Sequence, residues 1–383
     1  MKILLASSSS GSHGDGELWL LHLGRALVQR GHKVVLWASQ HPRMDELANS
    51  FSGVGEVLRS PYQNTYDHRG RSISSYLNLP AVRHLAAEWQ RAKPDLVHLN
   101  KQNLEDGLDL LQAARRSGLP NLCTIHITRT AQHLKARLAP ARDFIARRGL
   151  RNYPGLLVTV DEKQRRSLAE FLRDARRVRM IPNGVPMFDL ARRDAARALK
   201  RPDMGARDGD LLFVTVGSMD TRGRPLFFLE RAAEILRTVP QARFFWVGDG
   251  VLREAWDDWI AAHQPIERIH RVPWRNDVPL LLLGADAFLH IAHSEGLPLA
   301  LLEAMSAALP CVITDHLRED IPSFDAGNSI TIDAQGRWLE ALRDRERLRT
   351  LGAGARRVAE EKFAVGKMAE SYVDLYQETL ASA

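Results

Sequence analysis

Apolar and polar positions along this chain follow two periods. Short apolar runs at residues 2–6, 33–38, 96–99, 121–127 and 156–160 read as buried strands. Residues 17–30 repeat at helical spacing instead, with Leu20, Leu23, Leu27 and Val28 on one face and Gly31 ending the helix. A second series opens with a strand over 211–216 and a helix over 226–238, and continues with strands at 244–247, 287–291 and 311–314. Such alternation predicts parallel sheets joined by crossover helices. Between the two series lies the turn-rich segment M-I-P-N-G-V-P at 180–186, placed as a hinge. The expectation is an α/β chain of two doubly wound domains facing a cleft, over 1–182 and 183–362. The segment 363–383 is expected as a helix and is a candidate for crossing back to the first domain. In sheets of this kind ligands bind beyond the C-terminal strand ends.

Composition adds limits. The chain has 383 residues, 45% hydrophobic and 26% charged, enough for two folded cores and too apolar for a disordered chain. The longest apolar stretch, 280–292, is cut by Gly284 and Asp286, so no membrane-spanning helix is expected. The opening M-K-I-L-L-A is too short for a signal sequence and reads as the first strand. Two cysteines, Cys123 and Cys311, lie in apolar strands and are expected to be reduced, as in a cytoplasmic protein.

The net charge of +7 is unevenly spread. Residues 129–151 hold seven basic side chains (Arg129, Lys135, Arg137, Arg142, Arg147, Arg148, Arg151) against one acid, Asp143. That excess suits an acidic partner, either an anionic membrane surface or an acidic acceptor. Nucleic acid is not expected. Leu134, Leu138, Ala141 and Ile145 recur there at helical spacing as a core-facing stripe, with Pro140 set to break or kink the helix.

The densest chemistry lies at 294–310, S-E-G-L-P-L-A-L-L-E-A-M-S-A-A-L-P. It follows the apolar strand 287–291. Gly296 and Pro298 end that strand, Pro298 fits the first turn of a helix, and 299–308 are good helix formers. Glu295 then falls on the loop and Glu303 inside the helix. Backbone donors around Leu297 and Leu299 suit an anion such as a diphosphate, and a carboxylate on each side suits hydroxyls. Phosphate and hydroxyls together suggest a nucleotide sugar. Taken alone, the same two glutamates also fit a helix-start acid and a solvated surface residue.

The E-G-x-x-x-x-x-x-E-A-M pattern resembles the signature of the family 4 retaining glycosyltransferases of the GT-B type, with two Rossmann-like domains. Other segments are similar to that family: the glycine-bearing first loop with Gly11, Gly14 and Gly16, the segment I-P-N-G-V at 181–185, V-G-D-G at 247–250, and V-P-W-R-N at 272–276. The resemblance implies a donor site built from Gly14, Gly16, Gly217, Gly248, Gly250, Glu295, Gly296, Leu297 and Glu303. Within it Glu303 holds ribose hydroxyls and Glu295 the sugar. His126, at the end of a strand, is implied near the sugar. Where the family carries Gly-Arg-Leu and a later Lys, this chain has Ser218, and Gly223 at the Lys position. Arg222 and Arg224 flank it, and the helix alanines favour Arg224 as the cation that meets the leaving diphosphate. Ala308 replaces a usual glycine.

The implied activity is transfer of a hexose-type sugar from a nucleotide diphosphate sugar to a lipid, glycan or small-molecule acceptor, with retention of configuration. The catalytic set is His126, Arg222, Arg224 and Glu295. No cofactor or metal is expected; Asp208-Gly209-Asp210 reads as a turn. A nucleotide-sugar epimerase of the same fold and a non-catalytic nucleotide-sugar-binding protein are the alternatives. The expected location is cytoplasmic, at the inner face of a membrane if the basic segment docks there.

Overall fold

The computed structural model describes residues 1–9, 11, 14–65, 70–263, 267–293 and 296–382. The chain divides into two compact units, Met1–Gly184 with Val365–Ala383, and Val185–Ala364.

The first unit is a seven-stranded parallel sheet: β1 (Lys2–Ser7), β2 (Lys33–Ser39), β3 (Glu56–Ser60), β4 (Leu96–Lys101), β5 (Asn121–Ile125), β6 (Leu156–Thr159) and β7 (Val178–Met180). Its order is β3-β2-β1-β4-β5-β6-β7, so the direction of winding reverses between β1 and β4. Ile3 pairs with Val34 on one side and Leu96 on the other. Helices cover both faces, so the central strands carry no exposed side. The closing helix Val365–Ala381 belongs to this unit. Its Tyr376 hydroxyl meets His98 Nδ1 at 2.7 Å, and its Tyr372 hydroxyl meets Thr124 at 2.9 Å. Trp19 stands edge-on to His98, His126 and Tyr372. This polar-aromatic cluster joins the chain's two ends inside one core.

The second unit is a six-stranded parallel sheet of β8 (Leu211–Val216), β9 (Ala242–Val247), β10 (Ile269–Val272), β11 (Ala287–His290), β12 (Cys311–Thr314) and β13 (Ser329–Ile332), in the order β10-β9-β8-β11-β12-β13. Winding reverses between β8 and β11. An aromatic stack fills its core: Phe213 lies on Phe244 at 5.0 Å, and Phe228 stands edge-on to Trp246 at 5.1 Å. Both cysteines are free and buried. Among the described residues no helix is long and apolar enough to cross a membrane.

Two expectations are corrected. Residues 131–138 are turns, and the helix is Ala139–Asn152, with Pro140 in its first turn, where the missing N–H costs nothing. Its inward face is Ala139, Asp143, Ala146, Gly149 and Leu150, not the stripe through Leu134, Leu138, Ala141 and Ile145. Leu134 and Leu138 are 56% and 76% exposed, and only Ile145 of that stripe packs against the core. The helix after the signature loop is Leu299–Ser306; Pro298 is its N-cap residue rather than part of its first turn.

Ala308 takes φ +52°, the left-handed region that favours glycine. Its carbonyl oxygen lies 2.3 Å from where a Cβ on Gly352 would sit. Ala308→Gly is therefore expected to raise stability by up to about 1 kcal/mol, the relieved strain being partly offset by chain entropy. Gly352→Ala is expected to lower it by roughly 1–3 kcal/mol through forced overpacking. Urea midpoints of the two variants check both signs.

Candidate active site

In each unit the chemistry-bearing residues gather where the winding reverses, at the C-terminal ends of the strands. In the second unit β8 ends at Val216 and runs into Gly217, whose N–H donates to Val247 O at 3.1 Å. Gly217 O accepts the indole N–H of Trp246 at 3.1 Å. Gly248, with φ +144°, leaves no room for a side chain, because its Cβ would stand 2.0 Å from Gly217 O. A Cβ on Gly250 would stand 2.5 Å from Met219 O. These two glycines let two loops touch backbone to backbone. Gly217 differs, since its missing Cβ would face open space.

The loop after β8 explains the departures at 218 and 223. Asp220 Oδ1 accepts from the N–H of Arg222 and of Gly223, both at 2.9 Å, which folds the segment tightly. A Cβ at Gly223 would stand 2.0 Å from Ser218 O, so no side chain fits there, lysine included. Arg222 pairs with Asp220 at 3.0 Å, and its carbonyl accepts the N–H of His293 at 2.9 Å. That bond brings Arg222 beside the end of β11. Arg224 is the N-cap of the helix Pro225–Thr238, and its guanidinium lies 3.9 Å over the Phe227 ring.

Glu295 lies outside the described residues. Gly296 is half-buried and Leu297 buried at the start of the signature helix, where Pro298 offers no side-chain cap. Glu303 is 7% exposed, among Leu299, Leu301, Leu302, Ala304 and Met305. It is therefore not a solvated surface glutamate. His293 and His316, which sequence patterning does not single out, meet edge-on at 5.2 Å beside this loop. His316 Nε2 contacts Ala292 O at 3.0 Å.

In the first unit, Gly14 caps the helix Asp15–Gln29, and Glu17 and Gln102 fill the space its glycines leave. A Cβ on Gly14 would stand 2.3 Å from Glu17 Oε2, and one on Gly16 would stand 2.1 Å from Gln102 Nε2. Gln102 Nε2 donates to Glu17 Oε1 at 3.2 Å. Burial, the largest cause, pushes the Glu17 carboxyl up to about 7. His126 follows β5 and is buried. Its Nε2 lies 2.6 Å from Asn100 Oδ1, while Asn100 Nδ2 donates to Gly16 O at 3.0 Å. That order fixes the proton on Nε2 and leaves Nδ1 a bare acceptor, which has no partner among the described residues. Burial pushes His126 down to about 4, so it is neutral at pH 7. A buried ion pair, Lys101 with Asp106 at 3.6 Å, anchors the loop after β4. A lysine closing an apolar strand was its only sequence signal.

Two other acidic residues have structural places. Asp161 caps the helix Glu162–Leu172 by accepting from Gln164 N at 2.7 Å. Asp210 pairs with Arg243 at 3.3 Å and Arg268 at 2.9 Å. Among the described residues no group of histidine, cysteine or acidic side chains could hold a metal ion.

Comparison with known proteins fits this geometry. A family model described as Glycosyltransferase Family 4 matches residues 16–187, and one described as Glycosyl transferases group 1 matches residues 196–319. The chain belongs to the family 4 glycosyltransferases of the GT-B fold. It is 27% identical over 255 residues to an Escherichia coli UDP-Gal:alpha-D-GlcNAc-diphosphoundecaprenol alpha-1,3-galactosyltransferase, a match spanning 64% of each chain. It is 21% identical to the alpha-monoglucosyldiacylglycerol synthase of Acholeplasma laidlawii, over 77% of this chain and 75% of that one. Among solved structures, Anabaena HepE in complex with UDP and glucose matches over 100% of both chains, with TM-score 0.77 and 18% identity, a likeness of fold.

The buried titratable groups of the first unit make a stability prediction. His126 and His98 have folded values of about 4 and about 3, both lowered mainly by burial, so as the pH falls from 6.5 toward 4.5 the unfolded chain comes to bind up to two protons that the folded chain does not. Glu17 acts oppositely: its folded value of about 7 means the folded chain holds one proton more over that window. Acid therefore costs stability through the histidines and restores part of it through Glu17. Replacing the acid removes only the restoring part. Glu17→Gln is expected to steepen the loss of stability on acidification by about 1.4 kcal/mol per pH unit between pH 6.5 and 5. Urea unfolding of both proteins across that range measures the difference.

Proposed function

We propose that this protein transfers a sugar from a nucleotide diphosphate sugar to an acceptor, with retention of anomeric configuration. The observation that carries the reading is Glu303, buried in the helix Leu299–Ser306 that follows the winding reversal of the second unit. Glu303 stands at the position that the family resemblance assigns to the donor's ribose hydroxyls, from which a carboxylate accepts hydrogen bonds. Glu295 and the backbone of Gly296 and Leu297 take the donor sugar's hydroxyls. UDP-sugars are the first donors to test, because HepE was solved with UDP and glucose.

The leaving diphosphate gains charge as the glycosidic bond breaks, and a fixed cation beside it lowers that barrier. Arg222 is the better candidate, since its backbone is bonded to His293 at the signature loop while Arg224 is stacked on Phe227. In the first unit, the bare Nδ1 of His126 is suited to accept a hydrogen bond from a sugar hydroxyl, with Gly14 and Gly16 shaping the loop of that unit. Neither Glu295 nor Glu303 is cast as a covalent nucleophile; the departing phosphate takes the acceptor proton. The two relatives named above have lipid-linked substrates or products in their names, which supports a lipid-borne acceptor.

Glu303→Ala is expected to weaken UDP-sugar binding by at least about tenfold with the fold intact. Calorimetry showing unchanged affinity would remove Glu303 from the donor site. Arg222→Ala is expected to lower turnover more than donor affinity, and Arg224→Ala to do so less. If both single variants and the double variant keep full turnover, the cation lies elsewhere. Release of free nucleoside diphosphate only in the presence of an acceptor separates transfer from epimerisation and from mere binding.

A further inference from the structure

Six of the eleven large apolar side chains exposed among the described residues lie between residues 73 and 144 of the first unit: Ile73, Leu77, Leu79, Leu134, Leu138 and Phe144. Their carriers are held together. Arg142 grips Glu105 at 2.8 and 2.7 Å, and the same carboxylate accepts from the Ser72 hydroxyl at 2.6 Å. Further along, Arg148 Nε donates to the Tyr76 hydroxyl at 3.2 Å. The helix Arg71–Leu77 thus runs beside Ala139–Asn152, with 72 near 142 and 76 near 148. Ile73 and Leu77, one turn apart, are exposed on the first of these helices, and Phe144 on the second.

The turns before Ala139 push their leucines outward. Lys135 and Leu138 have φ of +52° and +56°, a left-handed backbone that non-glycine residues rarely adopt. Buried Asp143 anchors the segment by accepting from Ala131 N at 2.7 Å and Gln132 N at 3.1 Å. Strain that exposes a leucine gains the isolated fold nothing, and such strain collects where a surface is used. Lys135, Arg137, Arg148 and Arg151 are exposed around these side chains. The lone acid of the stretch, Asp143, is buried, and Glu105 is taken by Arg142.

We propose that this face docks on an anionic lipid bilayer. Leu134, Leu138 and Phe144 enter the boundary between headgroups and acyl chains, and the surrounding cations meet the headgroup phosphates. Nucleic acid would neutralise the same charge but leave the apolar side chains wet. The docking stands apart from the donor chemistry; only its link to a lipid-borne acceptor rests on the proposed transfer reaction.

Co-sedimentation with vesicles of phosphatidylcholine, with and without phosphatidylglycerol, tests it. The full chain is expected to bind the anionic vesicles only, and less as salt rises. Each Lys or Arg at such a surface is worth roughly fivefold in partitioning, so Lys135, Arg137, Arg148 and Arg151 all changed to Gln should cost more than about a hundredfold. Changing Leu134, Leu138 and Phe144 to Ser should cost about tenfold or more. No binding to anionic vesicles at low salt, or wild-type binding by either variant, would overturn the proposal. A thermal-shift titration with UDP-sugars on the same preparations reports on the donor site separately. Vesicle binding without a donor shift would count against transfer alone, and a donor shift without vesicle binding against docking alone.

Discussion

A close backbone approach in the second unit governs what its site can hold. Gly217 O and Gly248 stand nearer than any side chain allows, so the ends of β8 and β9 meet as bare chain. The consequences run outward from there. Met219 is drawn onto Gly250, Asp220 folds the next turn around its own carboxylate, and position 223 loses room for a side chain. The turn then hands Arg222 O to the N–H of His293 at the end of β11. Three strand ends are locked into one rim, and catalysis of charge transfer to a leaving group needs such a preorganised frame. An alanine at Gly248 would disturb every member of that series.

The first unit solves the same problem with side chains. Its winding reversal is lined by Ser7, Ser8, Ser9, Asn100, Lys101, Gln102 and His126, all polar and nearly all buried. Each polar group is bonded to the next: Gly16 to Asn100 to His126, Glu17 to Gln102 to Ser9, Ser8 to Asp106 to Lys101. Polar chains of this kind are costly unless complete, and they fix rotamers and tautomers when they are. The bare Nδ1 of His126 follows from that wiring, and its neutrality from burial.

Much of this was legible in the residues, and the failures have physical causes. The strands 211–216 and 311–314 match β8 and β12 to the residue, because strands buried on both faces are continuous apolar runs. The four strands that the pattern does not announce, β3, β7, β10 and β13, are the four sheet edges. Their half-exposed faces mix polar with apolar side chains and blur the run. The glycines at 248 and 250 were visible, but not that backbone contact requires them. The basic stretch at 129–151 was visible too, while its orientation was not: helical spacing aimed Leu134 and Leu138 inward, and Pro140 and Asp143 turn them out. Glu303 was singled out by its spacing from Glu295, and its burial separates it from an ordinary surface glutamate.

The central claim is that the winding reversal of the second unit holds a nucleotide diphosphate sugar. Hydrogen–deuterium exchange of the full chain, with UDP-, GDP- and ADP-sugars added in turn, tests it most directly. At least one donor should slow exchange in the peptides covering 217–224, 247–250 and 296–304, with no matching protection at the opposite, N-terminal ends of β8 and β11. Absence of protection in those peptides with every donor, or protection confined to other segments, would contradict the account.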